Sequence, residues 1–184
     1  MNVPAQYRTF WPRFWAGWID ALVFLPLWPV DSWINTATKT SPILAAGWFI
    51  ISTLLFDIYS VAMHARYGQT LGKMVTGVKV LDLTGGKLSF RQALLRDSVP
   101  IILSVLAIVD GLPSVLVGLD PYHNGQFTWL LLLQLWGSFI WFAAELITML
   151  FSSKRRAIHD FLAHSVVVRL SASERVAGDH AAAA

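Results

Sequence analysis

The chain has 184 residues, of which 55% are hydrophobic and only 14% charged, with 9 Trp and 11 Phe. Such a composition argues against a water-exposed surface and for one that meets lipid. There is no Cys, which excludes disulfides and thiolate metal sites.

Four apolar runs, at about 14–34, 43–63, 99–119 and 127–150, each approach the roughly 20 helical residues needed to cross a hydrocarbon core of ~30 Å. They lack the alternation of barrel strands, so the predicted fold is an all-α transmembrane helical bundle of four spans. The first run follows Arg8 and Arg13, contains Asp20 and leads into Pro26, Trp28 and Pro29, with no small-residue cleavage site. It is therefore predicted to be a span and not a signal peptide. Of the 14 basic residues, all but Lys39 fall before the first run, between the second and third, or after the fourth. The positive-inside bias then places both termini and the loop 64–98 in the cytoplasm, so the basic excess is a topology signal and gives no reason to invoke nucleic acid. Residues 1–170 read as one membrane domain, and the small, polar tail 171–184 as disordered.

Each run carries one carboxylate: Asp20, Asp57, Asp110 and Glu145. An ionised carboxylate in hydrocarbon is costly, so these residues face a bundle interior or a water-filled cavity and are functional candidates. Counting inward from Arg13, His64 and Phe151 at 1.5 Å per residue puts Asp20 and Asp57 about 10 Å, and Glu145 about 9 Å, from the cytoplasmic edge. A shared layer is expected. Thr53, Asp57, Ser60 and His64 fall on one helix face, as do Gln134, Ser138 and Glu145. The layer of Asp20, Asp57 and Glu145, with those polar neighbours, suits a monovalent cation or a proton; the same stripes would equally glue helices through hydrogen bonds. Asp20 is expected to meet a basic group from another segment, because Arg13 is two turns away. Asp110 precedes Gly111-Leu112-Pro113 and marks either a broken third span or a helix that runs from near Phe90 to Val109, with 114–120 an outer interfacial segment.

The loop 64–98 is patterned. Val78 to Leu83 alternates, Thr84-Gly85-Gly86 signals a turn and Lys87 to Phe90 alternates again, which predicts a small cytoplasmic β-hairpin. Ser89 and Gln92 have capping-box spacing at the start of an interfacial helix that would hold Arg91 and Arg96 at the headgroups. Gly68-Gln69-Thr70-Leu71-Gly72-Lys73 has one residue too few between its glycines for a phosphate loop, and Met74 stands where Ser or Thr should hold magnesium. No cofactor is predicted.

Arg13 with Asp20, then GQTLGKMVTGVKVLDLTGGKLSFRQALLRD (68–97), then RRAIHDFLAHSVVV (155–168), together resemble the RDD family of multi-pass membrane proteins, named for one arginine and two aspartates. The resemblance implies that Arg13 is the family arginine, Asp20 the first aspartate and Asp160 the second, with Asp57 as the alternative. It also implies a bacterial cell (inner) membrane location and a function in ion or small-ligand transport, such as cation/proton antiport, or in assembly with other membrane proteins. His159-Asp160 lacks an accompanying nucleophile or metal-ligand motif, and an enzyme is not expected. Two readings remain: a cation or proton transporter, acting as a homo-oligomer, or a non-transporting scaffold in which Arg13 pairs with Asp160 at the membrane edge.

Overall fold

The computed structural model describes residues 4–120 and 128–171. The tail predicted to be disordered, apart from Ser171, lies outside them, as does Phe127 at the start of the fourth run. The chain is mostly helical: α1 is Phe10–Phe24, α2 Leu27–Ala37, α3 Pro42–Tyr67, α4 Leu71–Thr76, α5 Phe90–Arg96, α6 Ser98–Leu116, α7 Trp129–Phe151 and α8 Ile158–Leu162. The described residues also include a 3-10 turn at Ala5–Tyr7 and two strands, β1 (Val78–Asp82) and β2 (Ser165–Arg169).

Among the described residues three helices, α3 with 26 residues, α6 with 19 and α7 with 23, are long and apolar enough to cross a membrane. The predicted first span is not one helix. Pro26 cannot donate a backbone hydrogen bond and its ring clashes with the preceding turn, so α1 stops at Phe24 and α2 starts afresh behind Pro26. Pro29 is tolerated because it falls in the first turn of α2, where N–H groups have no partner to lose. Asp110 also departs from both expectations. It lies inside α6, which runs through Pro113 to Leu116, and its carboxylate accepts a hydrogen bond from the Thr128 hydroxyl at 2.8 Å.

The molecule divides into two compact units. One comprises residues up to Val23, Val61–Arg96 and Ala144 onward. Within it β1 pairs antiparallel with β2, in the register Val78↔Arg169, Val80↔Val167 and Asp82↔Ser165. The local hairpin predicted from the sequence is therefore absent: Lys87–Ser89 is no strand, and the partner of β1 arrives from the C-terminal segment. The turn signal is real, however. The Asp82 carboxylate accepts from the Thr84 hydroxyl and from the amides of Thr84 and Gly86, each at 2.8 Å. That closes the turn while Leu88 folds back to join Val78, Val80 and Val167 in a buried apolar cluster. The capping box forms as expected, with the Ser89 amide donating to the Gln92 side chain and the Gln92 amide to Ser89 Oγ.

The second unit comprises Phe24–Ser60 and Asp97–Ala143. Its core is Ala46, Phe49 and Val115, with Ala45, Ile108 and Leu112 packed around them. Phe24 meets Phe56 and Tyr59 edge-on at 5.3 and 5.1 Å. Asp31 accepts from the Trp48 indole at 2.7 Å and from Asn35 at 3.0 Å, which joins α2 to α3.

Candidate functional site

The C-terminal segment of the first unit is built around Asp160. Arg155 adopts a positive φ of 51° just after α7 and its guanidinium donates to the Leu150 carbonyl at 2.8 Å, satisfying an acceptor that the helix end leaves open. Ala157 precedes α8 in extended conformation and its amide donates to Asp160 Oδ2 at 2.9 Å. Arg156 donates to the carbonyls of Ser165 and Asp160, both at 2.9 Å, and so ties α8 to β2. Asp160 is thereby fixed in a fully buried position.

Two guanidinium groups converge on it. Arg13 Nη1, from α1, donates to Asp160 Oδ2 at 2.8 Å and to the Arg155 carbonyl at 3.1 Å. Arg96 Nη1, from α5, donates to Asp160 Oδ1 and, at 3.0 Å, to the Ser165 hydroxyl. The pairing of Arg13 with Asp160 is the one expected from the sequence. Arg96 was not: it was assigned to the headgroups, yet it is 3% exposed. Its spacing from Ala93, which is also buried, is the signal that would have turned it inward, since residues three apart on a helix share a face.

His159 completes the cluster. Its Nε2 faces Arg13 Nη2 at 2.9 Å and Arg96 Nη2 at 2.7 Å. A guanidinium can only donate, so Nε2 must be the bare acceptor and Nδ1 carries the hydrogen. That hydrogen points at Glu145 Oε2, while the His159 backbone amide donates to Glu145 Oε1 at 3.0 Å. The arrangement is thus two guanidinium ions, two carboxylates and a neutral imidazole between them. Burial would raise the Asp160 pKa, but Arg13 and Arg96, helped by the Ala157 amide, outweigh it and hold the carboxyl well below the usual carboxylate range. For His159, burial and the Arg96 and Arg13 charges push the pKa down against the opposing pull of Asp160 and Glu145.

A pH dependence follows. A histidine whose folded pKa is depressed contributes stability that is complete above its unfolded pKa of about 6.5 and is lost as pH falls toward the folded value. The melting temperature of the purified protein should therefore fall between about pH 7 and pH 5. His159→Gln, which keeps an acceptor toward the arginines and cannot be protonated, should flatten that slope; an equal slope in both proteins would refute the neutral imidazole.

Asp20 has a different task. Its Oδ2 accepts from the Thr70 hydroxyl at 2.5 Å and its Oδ1 from the Gly72 amide at 2.8 Å, so it meets the N-terminus of α4. Negative charge is favoured at that end of a helix. Thr70 is also the N-cap of α4, and Gly77, with φ of 67°, closes its other end. This explains the motif that superficially suggested a phosphate loop. Gly72 is needed because a Cβ there would run into the Ala16 carbonyl of α1.

The remaining sequence candidates scatter. His64 is 2% exposed and bonded to Lys73 Nζ at 2.8 Å. Ser60 donates to Asp97 at 2.9 Å. Thr53 bonds back to the Phe49 carbonyl of its own helix at 2.7 Å and lines a cavity of about 690 Å³. Gln134 is half-buried and Ser138 exposed, so of that stripe only Glu145 faces inward. Asp57 is buried beside Ser104. Asp20, Asp57 and Glu145 therefore have three separate sets of partners. Among the described residues no group of three or more His, Cys, Asp or Glu side chains could hold a metal ion.

Comparison with known proteins agrees with the membrane setting. A family model described as the RDD family matches residues 7–164, which takes in Arg13, Asp20, Arg96 and Asp160. The chain is similar to the uncharacterized membrane protein YteJ of Bacillus subtilis (strain 168), 31% identical over 102 residues. That alignment covers 50% of this chain and 60% of YteJ, so it spans less than two thirds of that relative. No solved structure matches.

Proposed function

Because the chain belongs to the RDD family, we propose that it is a membrane protein whose Arg13–Arg96–His159–Asp160–Glu145 network serves as a structural lock and not as a transport site. The observation that carries this reading is the full burial of Asp160 between guanidinium groups from α1 and α5. A carboxylate so held offers no vacancy to a travelling ion, and removing either partner would strand a buried charge. The proposed transport layer also loses two members to other duties, since Asp20 serves α4 and Glu145 serves His159. An enzyme is disfavoured by the same geometry. His159 Nε2 is occupied by two arginines, and Ser165 lies fully buried against Asp160 and Arg96.

In this reading the locked segments are cytoplasmic. The basic residues collected in them favour both termini inside a bacterial inner membrane, with the stretch 10–37 supplying a fourth crossing in two helical pieces beside α3, α6 and α7. A scaffold of this kind acts on a second membrane protein or on another copy of itself. Ion flux in proteoliposomes of the purified chain tests the proposal. No flux of Na⁺, K⁺, Li⁺ or H⁺ above that of empty vesicles is expected, and flux that a folded Asp160→Asn protein loses would overturn it.

A further inference from the structure

The cavity of about 690 Å³ that Thr53 lines lies wholly within the second unit, bordered by α2, α3 and the end of α6. Small-molecule sites have such volumes, about 300–1,000 Å³. Four of the five hydroxyls in its wall already point their hydrogen at a helix carbonyl. Thr36 donates to Ser32 at 2.9 Å and Thr38 to Ile34 at 2.8 Å, while Ser52 and Thr53 both donate to Phe49, at 3.2 and 2.7 Å. A hydroxyl has one hydrogen, so toward a ligand these four can only accept. Asp31 accepts too. The Trp48 indole and Asn35 take two of its roughly four lone-pair positions and leave the others. Such a wall calls for a ligand rich in hydrogen-bond donors. The lining also carries two carboxylates, Asp31 and Asp120, against one ammonium, that of Lys39, which is the single Lys or Arg of the second unit.

A second cavity, of about 320 Å³, adjoins the first and shares Trp28, Asp31 and Ser52 with it. Phe24, Leu27, Leu55 and Phe56 make the rest of it apolar, together with the Trp48 ring. A donor-seeking polar chamber thus continues into an apolar one, which fits an amphiphile. We propose that the two cavities hold one aminophospholipid, with its primary ammonium on Asp31 and the hydroxyl lone pairs, its phosphate toward Lys39, and an acyl chain among Phe24, Leu27, Leu55 and Phe56. A primary ammonium has three hydrogens and no lone pair, the complement of an acceptor-only wall. The phosphate meets the one cation of the lining, and the excess of carboxylates disfavours a head that is anionic alone. The lipid is a bound partner here and not a transported substrate.

Lipid selectivity tests the site, because phosphatidylcholine keeps the charge and the phosphate of phosphatidylethanolamine and lacks only the N–H donors. The full-length protein in detergent, washed free of copurified lipid, is titrated with phosphatidylethanolamine, phosphatidylcholine or phosphatidylglycerol of the same chains. Phosphatidylethanolamine should raise the melting temperature saturably, since a ligand that binds only the native state stabilises it. Its half-saturation should fall about tenfold or more below that of the other two lipids. Asp31→Asn and the double variant Ser52→Ala/Thr53→Val should each bring the ethanolamine and choline lipids together, whereas Lys39→Gln should weaken both. If Asp31→Asn does not fold, the double variant decides. Equal responses to the ethanolamine and choline lipids in the wild type, a stronger response to phosphatidylglycerol, no saturable response, or a preference that persists in the variants would overturn the site. The lock lies in the first unit and uses none of these side chains, so the two proposals fail separately.

Discussion

Asp160→Asn is expected to be the most damaging conservative substitution in the chain, costing on the order of 3–5 kcal/mol. The amide keeps the size of the side chain but removes the charge that two buried guanidinium groups share, and wherever its NH₂ is placed it replaces an acceptor of hydrogens from Arg13 and the Ala157 amide or from Arg96. Both arginines then keep their charges, since neither can shed its proton, and they lose the carboxylate that both of them contact. In a protein of this size that cost should lower the melting temperature in detergent by roughly 10 °C or more. A change of only a degree or so would show that the guanidinium groups find water instead, and the lock would lose its energetic basis.

The same network shows where the sequence could be read and where it could not. Hydropathy sufficed for α3, α6 and α7, because twenty consecutive apolar residues leave little choice of structure. At 14–34 it did not show that Pro26 divides the backbone into two helices, because a window average is blind to one missing N–H. The strand at 78–82 was legible from its alternation and its partner was not. Val78, Val80 and Val167 need a common apolar cluster, and period-two patterning says which face is buried without saying which distant segment supplies the other strand. Arg13 and Asp160 were found through a family resemblance, and their pairing follows from the cost of leaving either charge alone. Arg96 was missed because a positive residue beside a membrane has an ordinary explanation at the headgroups. Its burial depends on α5 packing beside α8, which Gln92 reinforces by donating to the Ala163 carbonyl at 3.2 Å. Depth counting put Asp20, Asp57 and Glu145 level, but depth carries no azimuth, and their partners are set by what each helix faces.

Gly72→Ala should come close to Asp160→Asn in effect, although it adds one methyl group and alters no charge. A Cβ at this position would overlap the Ala16 carbonyl oxygen and stand 2.9 Å from its carbon and 3.0 Å from Asp20 Cγ. The first two are backbone atoms of a helix and cannot swing aside, so α4 must move away from α1. That movement withdraws the Gly72 amide and the Thr70 hydroxyl from Asp20, leaving a buried carboxylate short of donors. Overpacking of this kind costs about 1–3 kcal/mol, and the weakened bonds to a charged group add about 1.5–3 kcal/mol. Gly17→Ala and Gly47→Ala are the controls, since a Cβ at either meets nothing within 4 Å. Each replaces a helical glycine by the best helix former and should be neutral or stabilising by up to about 1 kcal/mol. If Gly72→Ala melts with those controls and not several degrees below them, α4 does not press on α1 as described, and Asp20 must be held by something other than the start of α4.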